Sequence, residues 1–232
     1  MRLELIKVLQ ALIIAFISYM ITIPFAGWFE SYVAKKVGDD TPEQAGFLTL
    51  NPLEHFSVFG FGAVLWGMFF AQLLPFALIP GWGRHIPLIP DNITGSYYKV
   101  RIFIEYTSRC VAHFMLLIGS ATAMMLICGA MHVHGFIPMV SADISSMQEV
   151  IISLLFFICQ QNIVLFIIHF ILGFFKYLIY FYAPKFHEIS FSTIVIVFIV
   201  LSVGLIVFGP LLELFVYKVI NLIQALLLCV VK

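Results

Sequence analysis

Residues 8–29 read VLQALIIAFISYMITIPFAGWF, without a single charged side chain. A bilayer span needs about 20 mostly apolar residues, so this stretch predicts a transmembrane helix near the N-terminus. Arg2 and Lys7 precede it as the basic part of a signal peptide would. The apolar run is too long for that, and no small-residue cleavage site follows. Further apolar runs cover 56–83, 102–130, 150–175 (continuing through 177–183) and 189–212. Pro75 and Pro80 sit in the last third of the second run, where a kink or a turn back is expected. The segment 214–231, with Lys218, Asn221 and Gln224, is either a sixth span or an interfacial helix. The runs are continuously apolar rather than alternating, which selects helices over barrel strands.

Composition agrees. The chain is 62% hydrophobic and 10% charged, with a mean hydropathy of +1.09. Soluble domains are about half apolar and about a quarter charged. Twelve basic and twelve acidic residues leave no polycationic surface for nucleic acid. The expected fold is an all-α polytopic membrane protein of about five or six helices, with the lipid bilayer as its first partner. Two regions are expected: a membrane core over 1–183 and C-terminal membrane helices over 184–232. The loop 131–148 lacks Lys and Arg and is the best non-cytoplasmic candidate. Lys35 and Lys36 argue for the opposite orientation. Cys110, Cys128, Cys159 and Cys229 form no CxxC pair and read as small buried hydrophobes.

One loop breaks this pattern. After Ala34 come Gly38-Asp39, then Gly46-Phe47-Leu48-Thr49-Leu50-Asn51-Pro52-Leu53-Glu54-His55, and later Gly81-Trp82-Gly83-Arg84-His85-Ile86-Pro87. Thr49 to Pro52 reads as a short strand entering a turn. The order and spacing of these pieces, over roughly residues 12–177, resemble the site-2 proteases, which are intramembrane zinc metalloproteases. The resemblance implies a site-2 protease-like core with a short structured loop between helices 1 and 2, and a bacterial inner membrane.

The departures are chemical. In the register set by Ala34 and Gly38-Asp39, the family's His-Glu-x-x-His falls on Ala26, Gly27 and Glu30. The first zinc histidine becomes Ala26, the catalytic glutamate Gly27 and the second zinc histidine Glu30. The aspartate after the Asn-Pro-Leu-x-His run becomes Ser57. The family's late aspartate ligand would fall near Tyr177, and no aspartate follows Asp143. Catalytic zinc needs about three protein ligands and a water, with a carboxylate to take the water's proton. Ala26 has no lone pair and Gly27 no carboxylate. The resemblance therefore implies a pseudoprotease with no metal, cofactor or catalytic residue. Its expected role is to bind transmembrane segments or serve as a subunit of a membrane complex. His55 is expected to hold the loop by hydrogen bonds, with Asn51, Pro52, Trp82 and Pro87 as its frame.

Other constellations compete. Glu105, Arg109 and His113 share one helix face at four-residue spacing, a polar stripe that reads as a relay, a client groove or an interfacial salt bridge. His169 lies near Gln160, Gln161 and Asn162, a cluster expected to hydrogen-bond between helices. His132 and His134 form a His-x-His pair near Asp143 and Glu149. Asn92-Ile93-Thr94 fits a glycosylation acceptor. Two rival functions follow. One is an active metalloprotease with a site rebuilt from Glu30, His55, His85 or His132 and His134. The other is a small transporter or channel built on Glu105, Arg109, His113 and His169.

Overall fold

The computed structural model describes residues 2–71, 81–130 and 147–182, together with Leu214 and Lys218. Every regular element among these residues is helical. The order is α1 (Arg2–Val37), one-turn helices α2 (Thr41–Gln44) and α3 (Pro52–His55), α4 (Val58–Ala71), a 3-10 turn (Pro90–Asn92), α5 (Tyr98–Ala130) and α6 (Met147–Tyr182). Three segments are long and apolar enough to cross a membrane: Val8–Val37, Tyr98–Ile127 and Met147–Tyr182. The chain is thus an all-helical membrane protein over its described part.

The structure revises several details of the sequence reading. Among the described residues the second apolar run carries a helix over Val58–Ala71, and its Gly81–Gly83 end has no regular structure. Pro75 and Pro80 lie outside the described residues, as do the spans at 189–212 and 214–231 (Leu214 and Lys218 apart), most of the 184–232 region, and His132, His134 and Asp143. The fourth run and its continuation form one helix that incorporates Lys176. The expected strand at Thr49–Pro52 is absent. Instead Asn51 caps α3, its side chain accepting from the Leu53 amide at 3.2 Å. Proline at the first helical position has no amide to satisfy, which favours a helix start over a ladder.

The three long helices form one bundle. Ser18 meets Gln161 and Thr22 meets Asn162, so α1 and α6 run parallel. Phe103 meets Tyr177 and Ser120 meets Cys159, so α5 runs antiparallel to α6. One apolar layer joins α5 and α6 through Leu117, Ala121, Met124, Ile152, Cys159 and Ile163. A second joins α1, α4 and α6 through Ala15, Tyr19, Ile23, Val64 and Leu165. Lipid is as apolar as these side chains, so close packing and interhelical hydrogen bonds hold the helices rather than water exclusion. Gly173 shows the consequence: a Cβ there would sit 2.3 Å from the Tyr106 carbonyl oxygen of α5.

The loop after α1 is tied down by hydrogen bonds. Gly38, at φ +113°, ends the helix, and the Asp39 amide donates back to the Ala34 carbonyl at 2.9 Å. Asp39, fully buried, accepts from Thr41 N (3.1 Å), Thr41 Oγ1 (2.5 Å), Ile89 N (2.7 Å) and Asn92 Nδ2 (2.8 Å). Burial pushes its carboxyl up, but these bonds together hold it below the usual carboxylate value. Asp39 thereby joins the 38–55 loop to the 81–97 segment.

Candidate functional site

The buried stripe of α1 recurs at four-residue spacing: Ser18, Thr22, Ala26, Glu30 and Ala34. Its middle faces α5, α6 and the loop histidine. There Ile23, Ala26, His55, Gly83, Arg84, Arg109, His113 and His169 enclose a cavity with room for about one water. The structure therefore brings Ala26, His55, Arg109 and His113 together, although they lie far apart in sequence.

His55 reaches this place because α3 turns its side chain under the loop. Its Nε2–H donates to the Thr49 carbonyl at 2.7 Å, and its ring lies against Phe47 with centroids 5.6 Å apart. The Arg84 amide donates to the His55 carbonyl at 2.8 Å. The other ring edge rests on Gly27. A Cβ at position 27 would stand 2.2 Å from His55 Nδ1 and 2.7 Å from Cε1, so the imidazole occupies the volume of any side chain there. Burial pushes the His55 imidazole below its usual pKa, and nearby Arg109 acts the same way, which keeps it neutral near pH 7.

Glu30 is paired. Its Oε2 lies 2.6 Å from Arg109 Nη2, with the two side chains 9% and 15% exposed. That oxygen makes no aligned hydrogen bond, so the contact is one of charge. Of the sequence stripe Glu105, Arg109 and His113, Arg109 is thus the member that pairs across to α1. Arg109 turns to α1, and Glu105 is fully buried with the Asp39 carboxyl within side-chain hydrogen-bonding reach. Its neighbours by charge are Asp39, Glu30 and Lys176.

The His113 tautomer follows from its partner. Asn162 Nδ2 donates to Thr22 Oγ1 (3.1 Å) and to the Ile158 carbonyl (2.8 Å), so Asn162 Oδ1 faces His113 Nδ1 at 2.8 Å as an acceptor. His113 Nδ1 therefore carries the proton, and Nε2, buried and without a partner, presents a lone pair. His169 donates from Nδ1 to its own helix at Leu165 O (2.9 Å), leaving Nε2 as its lone pair. The two rings lie 4.9 Å apart between centroids.

The remaining residues singled out in the sequence act as frame. Gly38, Asp39, Asn51 and Pro52 shape the loop. The Trp82 carbonyl accepts from Tyr19 Oη at 2.9 Å, and Pro87 follows buried Ile86. His85 is exposed at its surface and lies within electrostatic reach of Lys176, Arg109 and Glu30. The Asn92 amide is committed to Asp39 and Thr41. Among the described residues no group of three or more His, Cys, Asp or Glu side chains has metal-binding geometry. The sequence reading missed the Glu30–Arg109 pair and the place of Thr22 and Lys176. The signals were there: positions 18, 22, 26 and 30 repeat every fourth residue, and 162, 169 and 176 every seventh.

The fold and this site define a helical membrane protein with a polar centre enclosed by three long helices. No family model, curated protein or solved structure matches the chain.

Proposed function

We propose that the chain is a catalytically inactive, site-2 protease-like membrane protein that binds transmembrane segments or serves as a subunit of a membrane complex. In this reading it has about five or six spans, with its core over 1–183, and sits multi-pass in a bacterial inner membrane. Ala26, Gly27 and Glu30 are then vacated zinc-site positions.

The observation that supports the reading is the packing of His55 on Gly27. The resemblance puts a catalytic carboxylate at position 27, and an imidazole fills that volume. Arg109 beside Glu30 adds to it, because a guanidinium within 2.6 Å of the carboxylate opposes a divalent cation there.

The test is metal content by mass spectrometry on full-length protein purified from membranes without chelator or histidine tag, followed by cross-linking in native membranes from residue 25 or 29. Well under one zinc per chain, with cross-links to intact transmembrane proteins, is expected. One zinc per chain, lost on Glu30→Ala, overturns the reading in favour of a rebuilt protease.

A further inference from the structure

Two carboxyl groups meet at the loop end of the bundle. Glu105 lies about 10 Å along α5 from Tyr98 and is fully buried. Among the described residues no N–H or O–H group donates to either of its oxygens. The group within hydrogen-bonding reach is the Asp39 carboxyl, itself fully buried. Packing on both sides holds them there. Asn92 Nδ2 and the Ile89 amide donate to Asp39. Leu88 and Ile93 of the same segment form one apolar cluster with Ile102 and Tyr106, which flank Glu105 on α5.

Two carboxyls in contact cannot both keep their charge without a cation or a proton between them. Asp39 is fixed as the anion. Its Oδ1 accepts from Thr41 and Asn92 and its Oδ2 from the Ile89 amide, which leaves Oδ2 a lone pair for one more donor. The cations nearby are Lys176 and Arg109, and Arg109 is turned to Glu30. With Glu105 neutral, the carboxylates of Asp39 and Glu30 balance Arg109 and Lys176. With Glu105 ionised, one buried negative charge stays unmatched, and a membrane interior penalises that charge until the group takes up a proton.

We propose that Glu105 is a carboxylic acid that donates its O–H to Asp39 Oδ2 and so latches the loop to α5, and that loss of this proton releases the loop. Asp39 joins the 38–55 and 81–97 segments. His55 rides on the first of them, over the cavity beside Arg109 and His113, so release opens the polar centre. The groups facing Glu105 are Asp39 from the loop, Glu30 from α1 and Lys176 from α6, with Tyr106 and Arg109 beside it on α5. The step breaks one O–H bond: the proton goes to water, and two carboxylates are left to repel each other.

The sign of the pH dependence follows. Once released into water, Glu105 ionises above an ordinary value of about 4.3, so release at neutral pH gives up one proton. The latch is fully held below that value and weakens as pH rises. The released population then grows about tenfold per pH unit until the docked acid itself ionises. His55 and His85 are held below their usual pKa while docked and return to about 6.5 on release. Above about pH 7 both are neutral in either state and add little to the slope.

The experiment places a thiol under the loop by Ile93→Cys in a Cys128→Ser/Cys229→Ser background of the full-length chain. Its alkylation is followed in detergent by peptide mass spectrometry from about pH 7 to 9, normalised to a free thiol at the same pH. A rise of about tenfold per pH unit is expected, and none in Glu105→Gln, whose amide donates the same hydrogen bond with no proton to lose. Cys159, buried between α5 and α6, stays slow throughout and certifies the bundle. Infrared spectra at neutral pH are expected to show a protonated-carboxyl C=O band that Glu105→Gln removes. Where Glu105→Gln does not keep Cys159 slow, Asp39→Asn takes its place: its amide donates to Glu105, which then needs no proton, and the band is lost. Labelling of the new thiol that does not change with pH overturns the proposal. So does an equal slope in folded Glu105→Gln, or a carboxyl band that neither substitution removes. The latch does not depend on the pseudoprotease reading, which zinc content and cross-linking test separately.

Discussion

Gly27→Ala tests the central packing claim through the sign of its effect. Helix propensity alone favours alanine over glycine by up to about 1 kcal/mol. In this structure the added methyl would stand 2.2 Å from His55 Nδ1, and His55 cannot withdraw without releasing the Thr49 carbonyl at 2.7 Å. Overpacking costs about 1–3 kcal/mol, and the lost hydrogen bond about 1 kcal/mol more. After the propensity gain, a net destabilisation of about 1–3 kcal/mol remains. The assay is thermal unfolding in detergent, read by a thiol-reactive fluorophore in a Cys128→Ser/Cys229→Ser background, where the signal comes from Cys110 and Cys159, both buried. In a His55→Ala background the clash is gone, and Gly27→Ala is expected to be neutral or stabilising. A Gly27→Ala protein as stable as wild type, or a penalty that persists without the imidazole, refutes the argument that His55 fills this space.

Three further outcomes follow from the same geometry. Asp39 has its carboxyl held below the usual value, so its stabilisation is present above the unfolded carboxylate pKa of about 3.9 and is lost as pH falls through the lower folded value. Thermal midpoints of wild type are therefore expected to drop on acidification below about pH 4, and Asp39→Asn, destabilised at neutral pH, is expected to show a flatter acid limb. Arg109→Met leaves Glu30 buried and unpaired at a cost of about 3–5 kcal/mol, whereas Glu30→Leu/Arg109→Met recovers most of it; the buried-thiol assay run as a double-mutant cycle measures both. Gly173→Ala puts a methyl 2.3 Å from the Tyr106 backbone oxygen, which cannot rotate away, so α5 and α6 must separate; a loss of about 1–3 kcal/mol is expected in the same assay.

Much of the architecture was legible in the chain. Uninterrupted apolar runs announced helices in a membrane, because lipid offers no partner to an open backbone. The i, i+4 spacing of Glu105, Arg109 and His113 placed them on one face. The loop was legible as a structured unit, although Thr49 to Pro52 was misread as a strand. The apolar alternation there is short, and the Asn-Pro step capping a helical turn overrides it. The second run took in Gly81–Gly83, which form no regular structure, because hydropathy does not register where a helix ends.

What the sequence determined, then, is the solvent of the fold and the facing of each stripe: both follow from local composition and helical periodicity. What only the tertiary structure decided is who meets whom. Glu30 and Arg109 lie on different helices, and nothing in either helix alone says that the guanidinium turns to α1 instead of Glu105 one turn away. Gly27 looks like an ordinary small residue until the loop brings His55 against it. His113 acquires a defined tautomer only because Asn162, from α6, is itself fixed by Thr22 of α1. Such pairings depend on the relative depth and rotation of helices, set by close contacts such as Gly173 on Tyr106, and single-helix periodicity carries no information about either.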